Sequence, residues 1–179
     1  MSNTLVIHPS DRSTDMLKAV YEGKGFDVIN DVHITDEQLR KEIAAHGRII
    51  MLGHGTPEGL LCGDGLYRFA RYIIDDSHAD LLRGKKTYSM WCNSDEYFRE
   101  HGIPGFHSGM IISEKAEARF FGIYAKSDEE VAESLMPLMY AMHDTIDMED
   151  LTDMREVLLE RYNASDPITQ FNRKNLIVL

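Results

Sequence analysis

The chain has 179 residues, of which 43% are hydrophobic and 27% charged, and its formal net charge is −11. That length suits one well-buried core and is short for two ordinary domains, so a single domain over residues 1–179 is expected. An acidic chain whose longest basic run is Arg83-Gly84-Lys85-Lys86 lacks the clustered cations that neutralise phosphates, which argues against a nucleic-acid partner.

The apolar runs fall well short of the about 20 residues a membrane helix needs, and no basic segment followed by an apolar stretch opens the chain. A soluble cytoplasmic protein with no membrane partner is therefore expected. The two cysteines, Cys62 and Cys92, are too few for a disulfide framework or a cysteine-based zinc site, and reduced thiols suit that compartment. No cofactor is expected, and nothing in the pattern sets an oligomeric state.

In chain order, Leu5-Val6-Ile7 reads as a first strand closed by His8-Pro9. The polar loop behind it supplies caps for a helix over about residues 14 to 22. Residues 26 to 29 resume as a second strand. Thr35 with Gln38 forms a capping-box pattern that opens a helix running to about residue 45, with Leu39, Ile43 and Ala44 as its apolar stripe. Residues 48 to 53 are apolar without alternation, as in a strand buried on both faces of a parallel sheet. The β-α-β-α-β order with short connections points to an open, doubly wound sheet.

The next stretch breaks that rhythm. Two short apolar segments flank Gly63-Asp64-Gly65 within residues 59 to 69, which predicts a hairpin inserted after the third strand. A helical turn ending near Gly84 follows, and residues 86 to 91 read as a fourth core strand with Cys92 at its carboxyl end. Ser94 is expected to cap a short helix to about His101. Residues 109 to 113 read as a fifth strand, and 114 to 121 as helical. Residues 128 to 162 read as helical in pieces, interrupted near Pro137 and around Ile146-Asp147, with Asp128-Glu129-Glu130 as an acidic first turn. Residues 175 to 179 read as a closing strand.

In open α/β sheets the functional groups collect at the carboxyl ends of the strands. Here those ends carry His8, then His54-Gly55, then Cys92-Asn93-Ser94, then Ser113-Glu114. A thiol and an imidazole from successive core strands suit covalent catalysis, in which histidine promotes ionisation of the cysteine and later protonates the leaving group. The glycine after His54 lets a substrate carbonyl approach a backbone N–H, so Gly55 is the candidate oxyanion donor.

Leu52-Gly53-His54-Gly55 after an apolar strand, then a hairpin and a helix, then Tyr88-Ser89-Met90-Trp91-Cys92-Asn93-Ser94, resembles the clan CD cysteine peptidases. That superfamily includes caspases, gingipains, legumains and the CHAT domains. The resemblance implies a three-layer α/β sandwich with a mostly parallel sheet of caspase-like, Rossmann-like topology. It also implies a peptide or protein substrate, with His54 as general acid/base, Gly55 as oxyanion donor and Cys92 as nucleophile. The chain departs from the family's pattern at Trp91, where alanine or glycine often precedes the nucleophile, and at Met90, where several relatives carry an acidic residue.

Two other readings stand beside this one. In the first, a catalytically inert domain of the same shape binds a protein partner and Cys92 is a core residue. In the second, a nucleotide-binding module uses Ser10, Ser13 and Thr14 to hold a phosphate at a helix N-terminus. Cys62 reads as a packing residue of the hairpin, and His101 and His107 match no familiar zinc spacing. Met136, Met139, Met142, Met148 and Met154 read as the packing side of the C-terminal helices. Asp95, Glu96 and Glu114 read as solvated carboxylates at helix starts.

Overall fold

A computed structural model describes residues 2–63 and 71–179. Five parallel strands form most of a six-stranded sheet: β1 (Thr4–Ile7), β2 (Asp27–Ile29), β3 (Arg48–Leu52), then β7 (Lys86–Met90) and β8 (Gly105–Ser108). The sixth, β9 (Leu176–Val178), pairs antiparallel with β8 at one edge, and the order across the sheet is β2-β1-β3-β7-β8-β9. A separate antiparallel sheet of β4 (Gly55–Thr56), β5 (Gly59–Leu61) and β6 (Tyr72–Ile74) leaves the end of β3. The expected turn at Asp64-Gly65 and the apolar segment after it lie outside the described residues.

The side chains of each core strand divide between two hydrophobic layers, as the period of two requires. Val6, Ile50, Leu52, Tyr88 and Met90 point to one side, where the 3-10 helix Arg12–Val20, α5 (Asp128–Thr145) and α6 (Leu151–Arg161) cover them. Leu5, Ile7, Ile49 and Met51 point to the other, against α1 (Asp36–Ala45), α2 (Ala79–Leu82), α3 (Ser94–Glu100) and the small sheet. The result is an α/β sandwich of three layers with a mostly parallel sheet. Among the described residues, no helix is long and apolar enough to cross a membrane.

Local chemistry explains most element ends. Thr35 and Gln38 form the expected capping box at α1. Ser127 caps α5, whose first turn holds Asp128, Glu129 and Glu130. Ala44 lies on the exposed side of α1, leaving Leu39 and Ile43 as its buried stripe.

Several expectations are corrected. The segment after β1 is a 3-10 helix, and α5 runs unbroken through Pro137. Pro137 sits on the exposed face, so water can satisfy the carbonyl that loses its helical donor. The fifth strand is Gly105–Ser108, not residues 109 to 113. Gly105 lies against Thr87, while His107 bonds Ser89 and stacks flat on Phe98 at 3.8 Å. Ile111 and Ile112 are buried in the irregular stretch that follows, so their apolar character records burial rather than pairing. The expected helix α4 (Lys115–Phe120) and an additional one, α7 (Pro167–Lys174), pack their apolar sides together around Ile112 and Val131.

Candidate functional site

Strand order fixes which chain segments can meet. The connections from β1 run to β2 on one side and β3 lies on the other, so the loop after β1 opens beside the carboxyl end of β3. Such a reversal is where open α/β sheets form their crevice. The β3–β7 register pairs Leu52 with Met90, and the ladder continues through a bond from Gly53 N–H to Met90 O. Two residues past that pair, His54 and Cys92 come level. Both line one cavity of about 40 Å³, together with Ser13, Leu17, Trp91, Ile111 and Leu135. That space accepts a few waters or the tip of a side chain.

Cys92 sits at the turn from β7 into α3. The turn is shaped by Asn93, which adopts a left-handed φ of 62°, and its N–H donates to Gly109 O. Ser94 does not cap α3 as expected. It is fully buried, accepts from Ser89 Oγ and Ser108 N–H, and donates to Ser108 O at 2.8 Å. These bonds tie the Cys92 turn to β7 and β8. Trp91, whose bulk departs from the family pattern, has a packing role. Its ring occupies the space where a Cβ on Gly55 would stand, and its Nε1–H donates to Thr56 O at 2.9 Å. Thus Gly55 admits Trp91 as closely as the backbone allows, and the His54-Gly55 segment is clamped against the residue preceding Cys92.

His54 is partly exposed, with Nε2 at 2.7 Å from Ser13 Oγ and 3.7 Å from Asp11 Oδ2. Asp11 caps the 3-10 helix and accepts from both the N–H and the hydroxyl of Ser13, each at 2.8 Å. This loop is braced from behind. Thr14 Oγ1 donates to Asp11 O, and His8 reaches Thr14 Oγ1 and Tyr21 OH with its two ring nitrogens. Burial brings the His8 pKa down to about 4, so it stands neutral among these hydroxyls. Among the described residues, His54 makes no hydrogen bond to Cys92 Sγ.

The electrostatics oppose a resting thiolate. Burial pushes the Cys92 thiol up to about 11, with Glu117 and Glu114 adding negative charge nearby. The Cys92 sulfur therefore holds its proton at rest, against the histidine-promoted ionisation that the sequence suggests. Arg12, Glu114, Asp128 and Glu129 line one surface groove with Ser13 and His54, and Glu114 and Glu117 line a second with Asn93, Met110, Phe120 and Phe121.

The remaining candidates lie elsewhere. Cys62 packs with the second hydrophobic layer and donates from its thiol to Val32 O, and both cysteines are free. His101 meets Asp76, and His107 is buried beside Ser89. Among the described residues, no three His, Cys, Asp or Glu side chains are grouped to hold a metal ion. Of the alternative phosphate cradle at Ser10, Ser13 and Thr14, the Ser13 donors and the Thr14 hydroxyl are taken by Asp11, whose carboxylate would repel an anion. Sequence reasoning missed Asp11, although Asp11-x-Ser13 in the loop after β1 is an Asx-type cap signal. The chain matches no protein-family model and no curated protein.

Proposed function

We propose that the chain is a cysteine hydrolase, most specifically a peptidase acting on peptide or protein substrates. The reading rests on one observation: the β3–β7 register brings the imidazole of His54 and the thiol of Cys92 to a single cavity at the carboxyl edge of the sheet. The resemblance of residues 52 to 55 and 88 to 94 to the caspase-like peptidases points the same way.

In this reading His54 takes the Cys92 proton as sulfur attacks the substrate carbonyl carbon. A general-base route suits a thiol that burial holds neutral at rest. The C–S bond forms and the carbonyl oxygen gains the negative charge, for which the resemblance assigns the Gly55 N–H as donor. Collapse breaks the C–N bond, with the leaving amine taking the proton from His54. Water then hydrolyses the thioester, giving one proton back through His54 to sulfur. The acidic rim of Glu114, Asp128 and Glu129 favours approach of cationic substrate segments.

A second reading, an inert α/β domain that binds a protein partner, is favoured by the raised Cys92 pKa and the absent His54–Cys92 bond. The two separate on a mixture of denatured proteins incubated with the chain and scored for new N-termini. The hydrolase reading expects discrete cleavages that vanish in Cys92→Ala and in His54→Ala. Cleavage that survives either substitution, or none at all by the wild type, favours the binding domain.

A further inference from the structure

We infer that Asp11 and Ser13 form a hydrogen-bonded relay that holds His54 in its Nε2–H tautomer and leaves Nδ1 as the free base of the ring. The inference rests on the dyad proposed above. It begins with a count of protons. Ser13 Oγ lies 2.8 Å from Asp11 Oδ1 and 2.7 Å from His54 Nε2, and a hydroxyl has one proton to give. A carboxylate only accepts. Were Ser13 to donate to His54, its oxygen would stand lone pair against lone pair with Oδ1 at 2.8 Å. The arrangement satisfies both contacts only when Ser13 donates to Asp11 and the imidazole Nε2–H donates to Ser13. Nδ1 then carries the free lone pair of the neutral ring.

The second oxygen of Asp11 supplies an independent observation. The Asp11 side chain is 4% exposed, and Oδ2 is buried with no hydrogen-bond partner, 3.7 Å from His54 Nε2. A buried carboxylate oxygen left without a donor is unfavourable, and such groups need an explanation. One follows from the chemistry. When the Cys92 proton moves to Nδ1, the ring becomes a cation with Nε2–H still bonded to Ser13, and Oδ2 faces the new charge. The bond broken is S–H, the bond formed is Nδ1–H, and thiolate and imidazolium balance. Glu114 and Glu117 disfavour the thiolate, so a carboxylate that compensates the imidazolium offsets part of that cost. Asp11 and Ser13 are thus positioning residues, acting on sulfur through His54.

Imidazole ¹⁵N NMR of the intact chain, paired with the rate at which iodoacetamide alkylates Cys92, tests the relay. His54 is expected in the Nε2–H form. Ser13→Ala and Asp11→Asn should shift it toward the other tautomer and slow alkylation by about tenfold, the weight of one charge-assisted hydrogen bond. Ser13→Thr, which keeps the hydroxyl, should restore both. A wild-type Nδ1–H tautomer overturns the relay. So does a normal alkylation rate in folded Ser13→Ala and Asp11→Asn when His54→Ala is slow, with the dyad left standing. If His54→Ala itself leaves the rate unchanged, the dyad fails and the relay's role fails with it.

Discussion

Gly55→Ala tests the clamp between the His54 segment and the residue before Cys92. A Cβ at position 55 would lie 2.2 Å from Trp91 Cδ1, 2.5 Å from Trp91 Cγ and 2.6 Å from Gly59 O. Ordinary contact begins near about 3.4 Å, so the indole must retreat by roughly 1 Å into a packed layer. Overpacking of this kind costs about 1–3 kcal/mol, and loss of the Trp91–Thr56 hydrogen bond adds about 1 kcal/mol. The expected destabilisation is therefore about 2–4 kcal/mol, a large share of the stability of a small protein. Trp91 is the only tryptophan in the chain and is 2% exposed, so its emission reports the displacement directly. A urea titration followed by fluorescence should show a lower midpoint together with a native emission shifted toward the red. Gly23→Ala is the control: its φ is +76° but nothing lies within 4 Å of an added Cβ, so only backbone strain of about 1 kcal/mol is expected. Trp91→Leu in the Gly55→Ala background should relieve the clash, as a double-mutant cycle followed by circular dichroism would show. If Gly55→Ala costs no more than Gly23→Ala and leaves the emission unchanged, Trp91 does not pack against Gly55 as described.

Two further outcomes follow from buried polar groups. Burial lowers the pKa of His8 to about 4 and that of His107 to about 3 from an ordinary value of 6.5, so between these limits the unfolded chain binds more protons than the folded one. Stability should fall as pH drops below about 6.5, by about 3 kcal/mol for His8 and about 5 kcal/mol for His107 once each folded value is reached. A urea midpoint that stays flat from about pH 6.5 to 4 would contradict the neutral, buried state of both rings. Ser94→Ala removes the hydroxyl that serves Ser89, Ser108 N–H and Ser108 O, leaving buried groups unpaired, and should cost about 2–3 kcal/mol by urea titration. A cost below about 0.5 kcal/mol would mean that the hydroxyl does not tie the Cys92 turn to the sheet.

The central strands were legible because residues 5 to 7 and 48 to 52 are buried on both faces, which erases alternation in the sequence. Helix α1 was legible through Thr35 and Gln38, whose capping bonds are local. Non-local effects misled the reading elsewhere. Gly105-Phe106-His107-Ser108 lacks a strand's apolar pattern, because His107 is satisfied by stacking on Phe98 and by a bond to Ser89, neither visible in a one-dimensional pattern. The run Met110-Ile111-Ile112 carries that pattern for burial alone. Ser94 resembles a helix cap, yet three sheet and loop partners claim its hydroxyl. The candidate site divides in the same way. His54-Gly55 and Cys92 stand out as strand ends, whereas Asp11 and Ser13 join them only because β1 neighbours β3, a fact of topology rather than of spacing. The raised pKa of Cys92 likewise comes first from burial and then from Glu117 and Glu114, which the sequence keeps more than twenty positions away.

The most direct test of the Cys92–His54 pair is the pH profile of Cys92 alkylation in the wild type and in His54→Ala, read by mass spectrometry with Cys62 as internal reference. A buried thiol held near 11 and acting alone should react tenfold faster with each pH unit until that value. With His54 as general base, the wild type should add a plateau on the low-pH side of that rise, where the imidazole accepts the thiol proton. His54→Ala should lose that plateau and keep only the steep rise. Superimposable profiles for the two proteins would show that His54 does not serve Cys92, and the hydrolase reading would fall.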